Sequence, residues 1–239
     1  IFFIMGNELC ERFSFYGMKA VLPRFFRDKM GQSEGTSTSW VALFVMVAYF
    51  TPLLGAYISD AWLGKYRTIL YLSTLYTLGS AVLSFMAFPD SPPAWGVFLG
   101  LCMIGVGTGG IKPCVSSFVG DQFNPKTQQH LLDSVFFMFY FFVNTGSVFS
   151  TLLTPVLAQI SYAVAFLVPA ILLSIALLLF WLGHRYYTII LPSPEESVFY
   201  EFFRVLYHAF RLKCRCRPNQ NHTTLVDEQQ EKQQQQQQQ

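Results

Sequence analysis

Charge is what this chain has least of: 13% of its 239 residues are Asp, Glu, Lys or Arg, against 52% hydrophobic. Soluble domains carry about a quarter charged residues, so that class is excluded and an integral membrane protein is expected. Cysteine is sparse too, at five residues. Cys10, Cys102 and Cys114 fall inside apolar segments and Cys214 and Cys216 in a later basic stretch, so packed or reduced thiols are expected rather than a disulfide framework. Acylation of Cys214 or Cys216 stays open. No nucleophile stands with a base and no metal-ligand cluster occurs, so neither an enzyme nor a metal site is expected, and nucleic acid is not an expected partner. Residue 1 is Ile. Without an initiator Met, a basic n-region or a cleavage site, the apolar start reads as a spanning helix, and the numbering is expected to begin inside a longer protein.

What the chain has instead is a series of apolar segments of spanning length, at about residues 2–26, 40–59, 67–88, 95–119, 132–156 and 163–187. The expected fold class is an all-α membrane protein with six transmembrane helices, since only helices or closed barrels cross lipid and no alternating strand pattern supports a barrel. Composition divides the chain into a six-helix bundle over 1–190, a basic amphipathic juxtamembrane segment over 191–217 and a disordered Gln-rich linker or tail over 218–239. Lys65, Arg67 and Lys126 lie in the second and fourth connections, and Arg185, Arg204, Arg211, Lys213, Arg215 and Arg217 follow the last helix. The first connection holds Arg24, Arg27 and Lys29, while the third and fifth hold no Lys or Arg. Both termini of the segment are therefore expected on the cytoplasmic side. Between Glu195 and Arg211, Val198, Phe199, Phe202, Phe203, Leu206 and Phe210 recur at helical spacing. They suit either an interfacial helix or one packed on the bundle.

Against that apolar background the run Glu8 to Lys19 stands out, because it sets Glu8, Glu11, Arg12 and Lys19 inside a segment long enough to enter a membrane. At about 2.5–3.5 kcal/mol each, four unpaired charges at the bilayer centre would cost roughly 10–14 kcal/mol. Glu8, Glu11, Arg12, Phe15, Tyr16 and Lys19 fall within about 140° of one another on a helix, whereas Phe13, Ser14 and Gly17 point elsewhere. One face is polar and is expected to line a cavity. A second pattern, Gly55 to Thr68, orders small residues, Asp60, Gly64, Lys65 and Arg67 as a tight cytoplasmic turn suited to a conformational gate, with Asp60 holding Lys65 or Arg67 in one state and releasing it in another. The third, Gly105 to Cys114, lacks the preceding strand and the hydroxyl residue of a phosphate loop. Its glycines instead allow close helix approach, Pro113 permits a bend, and Lys112 needs an acid partner, for which Glu8 and Glu11 are the candidates. In Phe139 to Ser147, Asn144 offers donors and acceptors at membrane depth.

These residues resemble one family, the proton-dependent oligopeptide transporters of the major facilitator superfamily. Its ExxERF motif is met at Glu8, Glu11, Arg12 and Phe13, followed by Tyr16 and Gly17. Its helix 2 to 3 signature is met from Gly55 through Gly79, and the stretch Gly107 to Ser116 is similar to its fourth helix. The resemblance covers nearly all of residues 1–190. It implies two six-helix bundles with substrate between them, of which this chain resembles the first, so that a C-terminal bundle of the same protein is an expected partner alongside the lipid bilayer.

The family's activity would be symport of di- and tripeptides with protons. Glu8, Glu11, Arg12 and Lys112 would couple the proton, which serves as coupling ion with no other cofactor. Arg12, Tyr16, Lys19, Tyr49, Lys112 and Asn144 would bind the peptide, the bases taking its carboxylate. The expected location is the plasma membrane ahead of an endolysosomal or vacuolar one. Departures bear on substrate range: Phe15 stands where many peptide-transporting members have Tyr, Lys19 where Arg is common, and Ala42 where animal members resemble one another in having His. Thr145 and Val148 are less usual neighbours of Asn144. Nitrate or another small anion as substrate, and a truncated protein that does not transport, are the alternatives.

Overall fold

The structure, a computed structural model, describes residues 1–124 and 127–192, together with Arg204, Val205, Tyr207, Ala209 and Arg211. Six helices make up the first of two compact units, Ile1–Pro194: α1 (Phe2–Met30), α2 (Glu34–Ile58), α3 (Lys65–Met86), α4 (Ala94–Gly120), α5 (Gln129–Ile160) and α6 (Tyr162–Leu182). In the second unit, Glu195–Gln239, the five described residues are helical and exposed. Lys126, Cys214, Cys216, the apolar residues of the 195–211 pattern and the Gln-rich stretch 218–239 lie outside the described residues.

Five of the six helices are long and apolar enough to cross a membrane. The sixth, α1, is as long at 29 residues but carries the charged run. Helices reach past the apolar windows because local chemistry sets their ends. Ser33 caps α2 by accepting from the Thr36 amide at 3.2 Å, starting the helix at Glu34 rather than near 40. Gly31, at φ 62°, closes α1 in the left-handed conformation. Between α2 and α3 the expected turn is a π-helical segment, Ser59–Leu63, ended by Gly64 at φ 77°.

Packing neighbours follow the order α5, α1, α6, α3, α4, α2, and α1 also touches α2 and α4, which makes it the central helix. Small residues bring the helices close and hydroxyls tie them. Gly55 of α2 meets Gly110 of α4 backbone to backbone, and Gly79 of α3 fits against Gly100 and Met103 of α4. Thr51 Oγ1 donates to the Gly105 carbonyl at 3.1 Å, Ser84 Oγ to the Ala163 carbonyl at 3.0 Å and Ser150 Oγ to the Phe13 carbonyl at 2.5 Å. Such interhelical bonds in membranes contribute on the order of 0.6 kcal/mol each. The last of them explains the second face of α1: Phe13, Ser14 and Gly17 are buried, with Gly17 seated on Ser150 and Thr154 of α5.

Candidate functional site

The charged run of α1 is buried inside the bundle. Glu8, Glu11 and Arg12 are 4%, 1% and 7% exposed, so the polar face expected to line a cavity is covered at its centre by neighbouring helices. Glu8 and Arg12, one turn apart, are joined by a bond from Arg12 Nε to Glu8 Oε1 at 2.8 Å, and Glu11 Oε2 lies 2.6 Å from the same nitrogen. Both carboxylates take the Nε edge of the guanidinium. Neither terminal amino group of Arg12 donates to another described residue, which leaves that fork available for a second, bidentate partner. Glu11 Oε1 accepts from the Thr108 hydroxyl of α4, and Glu8 Oε2 is buried with no hydrogen-bond partner among the described residues.

Lys112 reaches this region from α4, one helical turn beyond Thr108. Its expected acid partner is not its direct neighbour: no ion pair joins Lys112 to Glu8 or Glu11 among the described residues. Its ammonium lies 4.6 Å from the Phe15 ring centroid and 4.5 Å from that of Tyr49. A cation held between two ring faces keeps favourable electrostatics without spending a carboxylate, at about 0.5–2 kcal/mol per ring. Phe15, one residue of departure from the family pattern, is that ring on α1. Tyr49 is 61% exposed and covers Lys112 from the open side. Tyr16 is half-buried and edge-on to Phe15, with centroids 5.5 Å apart. Lys19 is exposed on α1 and Asn144 is exposed on α5, where its Nδ2 donates to the Tyr140 carbonyl of its own helix at 2.8 Å. The geometry thus gathers Glu8, Glu11 and Arg12 into one buried group with the half-buried Lys112 beside it, and leaves Lys19, Tyr49 and Asn144 on exposed faces.

At the end of the bundle where α2 turns into α3, Lys65 donates to both carboxylate oxygens of Asp121, at 2.8 and 2.6 Å, tying the start of α3 to the end of α4. Asp60 is half-buried in the π-helical segment and Arg67 is exposed, and neither forms an ion pair among the described residues. Sequence reasoning missed Asp121 and Thr108. An acid at the end of the glycine-rich helix, level with a basic turn, was the available signal for the first, and a hydroxyl one turn before Lys112 for the second. At the opposite end, Lys29 donates to Asp90 at 2.8 Å and Tyr162 to Asp28 at 2.5 Å. The hydrogen bond from Lys29, then its charge, holds the Asp90 carboxyl below the usual range, and the hydrogen bond from Tyr162 does the same for Asp28.

A bundle of six packed helices with a buried acid–base group has the build of a transporter half. The POT family model, PTR2, matches residues 66–239, and the chain belongs to this family of transporters. It is 43% identical over 219 residues to Peptide transporter family 1 of Drosophila melanogaster, covering 87% of this chain and 29% of that protein. It is 42% identical over 237 residues to human Solute carrier family 15 member 2, covering 93% and 32%. The crystal structure of the POT family transporter PepTSo superposes with a TM-score of 0.74 at 41% identity, over 80% of this chain and 38% of that one. The chain thus spans about a third of the length of the curated relatives it matches.

Proposed function

We propose that the full-length protein containing this segment moves di- and tripeptides across a membrane together with protons, with the proton as coupling ion and no other cofactor. The observation that carries the reading is the buried Glu8, Arg12 and Glu11 group with Lys112 beside it. Two carboxylates share one guanidinium edge, and one carboxylate oxygen has no partner among the described residues. A proton taken up there loosens the hold on Arg12, whose terminal amino groups then meet a substrate carboxylate alongside Lys112. Lys19, Tyr16, Tyr49 and Asn144 flank that place and suit the remaining polar groups of a short peptide. Solved relatives support the substrate class, one of them titled a proton dependent oligopeptide transporter and 40% identical. The location proposed is the plasma membrane, with both ends of the segment cytoplasmic and a second bundle completing the binding site.

The test is uptake of a labelled dipeptide at pH 5.5 and 7.5 by vesicles holding the full-length protein, with nitrate as competitor. Acid-stimulated, uncoupler-sensitive accumulation is expected, and Glu11→Gln should abolish the proton dependence. Proton-driven accumulation unchanged in Glu11→Gln would overturn the coupling role. Silence toward dipeptide with acid-stimulated uptake of labelled nitrate would replace peptide by a small anion.

A further inference from the structure

Outside the charged site, α3 and α6 leave an open groove of about 420 Å³ between them, a volume within the range of small-molecule sites, about 300–1,000 Å³. The hollow lies where side chains are short: Thr74 and Thr77 of α3 and Ser174 of α6, flanked by Leu70, Leu177 and Trp181. All three hydroxyls are spent on their own helices, Thr74 donating to the Leu70 carbonyl, Thr77 to that of Ser73 and Ser174 to that of Ala170, at 2.8 Å each. With those donors satisfied, the floor of the groove offers methyl and methylene groups and suits a hydrocarbon rather than a polar molecule. Leu173, Ala176 and Phe180 form the buried stripe of α6, so Trp181, 55% exposed, and the groove beside it face outward.

One end of the groove is basic. Arg67 stands on the same stripe of α3 as Leu70, Thr74 and Thr77, and Arg185 follows Trp181 in the 3₁₀ turn Gly183–Tyr186. Tyr66, the residue before Arg67, stacks on His184, the residue before Arg185, with ring centroids 4.8 Å apart, which brings the two arginines to one mouth. Both are exposed and neither makes an ion pair with a described residue. From Arg67 to Thr77 the helix rises about 15 Å, half of a hydrocarbon core about 30 Å thick, so the groove is as deep as one leaflet. Trp181 is of the type that settles at headgroup level.

We propose that this groove is a site for an anionic phospholipid of the leaflet at that end, the cytoplasmic one in the orientation proposed above. One acyl chain lies over Thr74, Thr77 and Ser174, and the guanidinium groups of Arg67 and Arg185 hold the phosphate. Guanidinium forks match phosphate oxygens two at a time, and the cytoplasmic leaflet carries anionic lipid. A free phosphate would meet the two arginines and leave the groove empty, whereas a lipid occupies both.

The test needs no transport and so stands apart from the function proposed above. The full-length protein is placed in phosphatidylcholine vesicles doped with dibrominated phosphatidylglycerol or, separately, dibrominated phosphatidylcholine, and the part of the tryptophan fluorescence that Trp181→Phe removes is followed. The anionic probe should quench it at a mole fraction roughly 25-fold lower than the neutral probe, about fivefold for each arginine. Arg67→Gln and Arg185→Gln should each remove about fivefold of that preference. Ser174→Leu fills the groove without touching a charge and should lower the preference by at least as much. Equal potency of the two probes, or a preference unmoved by the arginine variants, overturns the phosphate contact. A preference kept in Ser174→Leu overturns the groove as the chain's seat. No quenching by either probe means that protein covers this face, and overturns the proposal too. Loss of the preference on adding inorganic phosphate, but not chloride at equal ionic strength, would make the ligand a free phosphate instead of a lipid.

Discussion

Replacing Gly55 by Ala tests whether the crossing of α2 and α4 is as tight as the geometry demands. The new methyl would stand 2.5 Å from the Gly110 carbonyl oxygen and 2.8 Å from its carbonyl carbon, with the Gly110 Cα closer still. All three are backbone atoms, which cannot swing aside. Restoring ordinary contact requires the two helices to part by roughly 1 Å, an overpacking cost near the upper end of about 1–3 kcal/mol. Parting also lengthens two ties across the same seam, Thr51 Oγ1 to the Gly105 carbonyl and Cys114 Sγ to the Gly55 carbonyl, worth on the order of 0.6 kcal/mol each. Ala's better helix propensity returns about 1 kcal/mol. The net loss is about 2–3 kcal/mol, which at about 2–4 °C per kcal/mol lowers the melting temperature by roughly 5–10 °C. Thermal denaturation of the purified protein in detergent, followed by tryptophan fluorescence, measures it. Gly6→Ala and Gly35→Ala are the controls, since a Cβ at either position meets nothing within 4 Å, and both should melt at or slightly above the parent. Gly55→Ala melting with those controls would refute the reasoning.

Two further outcomes are expected. Asp121→Asn and Lys65→Met should each lower stability, with the double variant no worse than either, giving a coupling of about 1 kcal/mol in a denaturation cycle because the pair is only partly buried; an additive double variant would mean that the pair contributes nothing. Asp28→Asn and Asp90→Asn should leave the pH profile of uptake unchanged between pH 5.5 and 7.5. Both carboxyls are held below their ordinary values, so the stability they bring is complete above about pH 4 and is lost only as the pH falls through those lowered values. A profile that moves in either variant would place pH sensing at the Asp28 and Asp90 end of the bundle instead.

What could be read from the residues, and what could not, follows from where each signal resides. Charge inside a spanning segment is costly wherever its partners are, so Glu8, Glu11 and Arg12 announced themselves from one helix. Glycines of the Gly105 to Gly110 run likewise marked close approach before the partner helix was known, whereas Gly55, which meets Gly110, and Gly79, which meets Gly100, read only as parts of a turn and a signature. The partners themselves depend on how helices meet. Lys112 was expected to pair with an acid, yet two aromatic rings lie against it, because α2 and α1 bring Tyr49 and Phe15 within 4.5 and 4.6 Å of the ammonium. Lys65 was weighed against Asp60, its neighbour in sequence, whereas it bonds to Asp121 at the end of α4. The tight packing of α3 on α4 brings that acid level with the turn, and no local pattern encodes it.

The placement of these charges bears on why proton and substrate should bind together. With both carboxyls ionised, Glu8 and Glu11 balance Arg12 and the half-buried Lys112, so the set is neutral, and one proton leaves it with a surplus positive charge. A peptide carboxylate entering at the free fork of Arg12 restores neutrality. At about 5 Å and an effective dielectric constant near 20, each such charge pairing is worth roughly 3 kcal/mol. Coupling between sites commonly amounts to about 1–3 kcal/mol and is reciprocal, so proton uptake tightens carboxylate binding as much as carboxylate binding tightens proton uptake. The exposed Lys19 adds a further positive charge at the approach and draws in anions in either state. In the function proposed above it raises affinity without adding to the coupling, so that proton linkage falls to the buried group and substrate capture to its exposed rim.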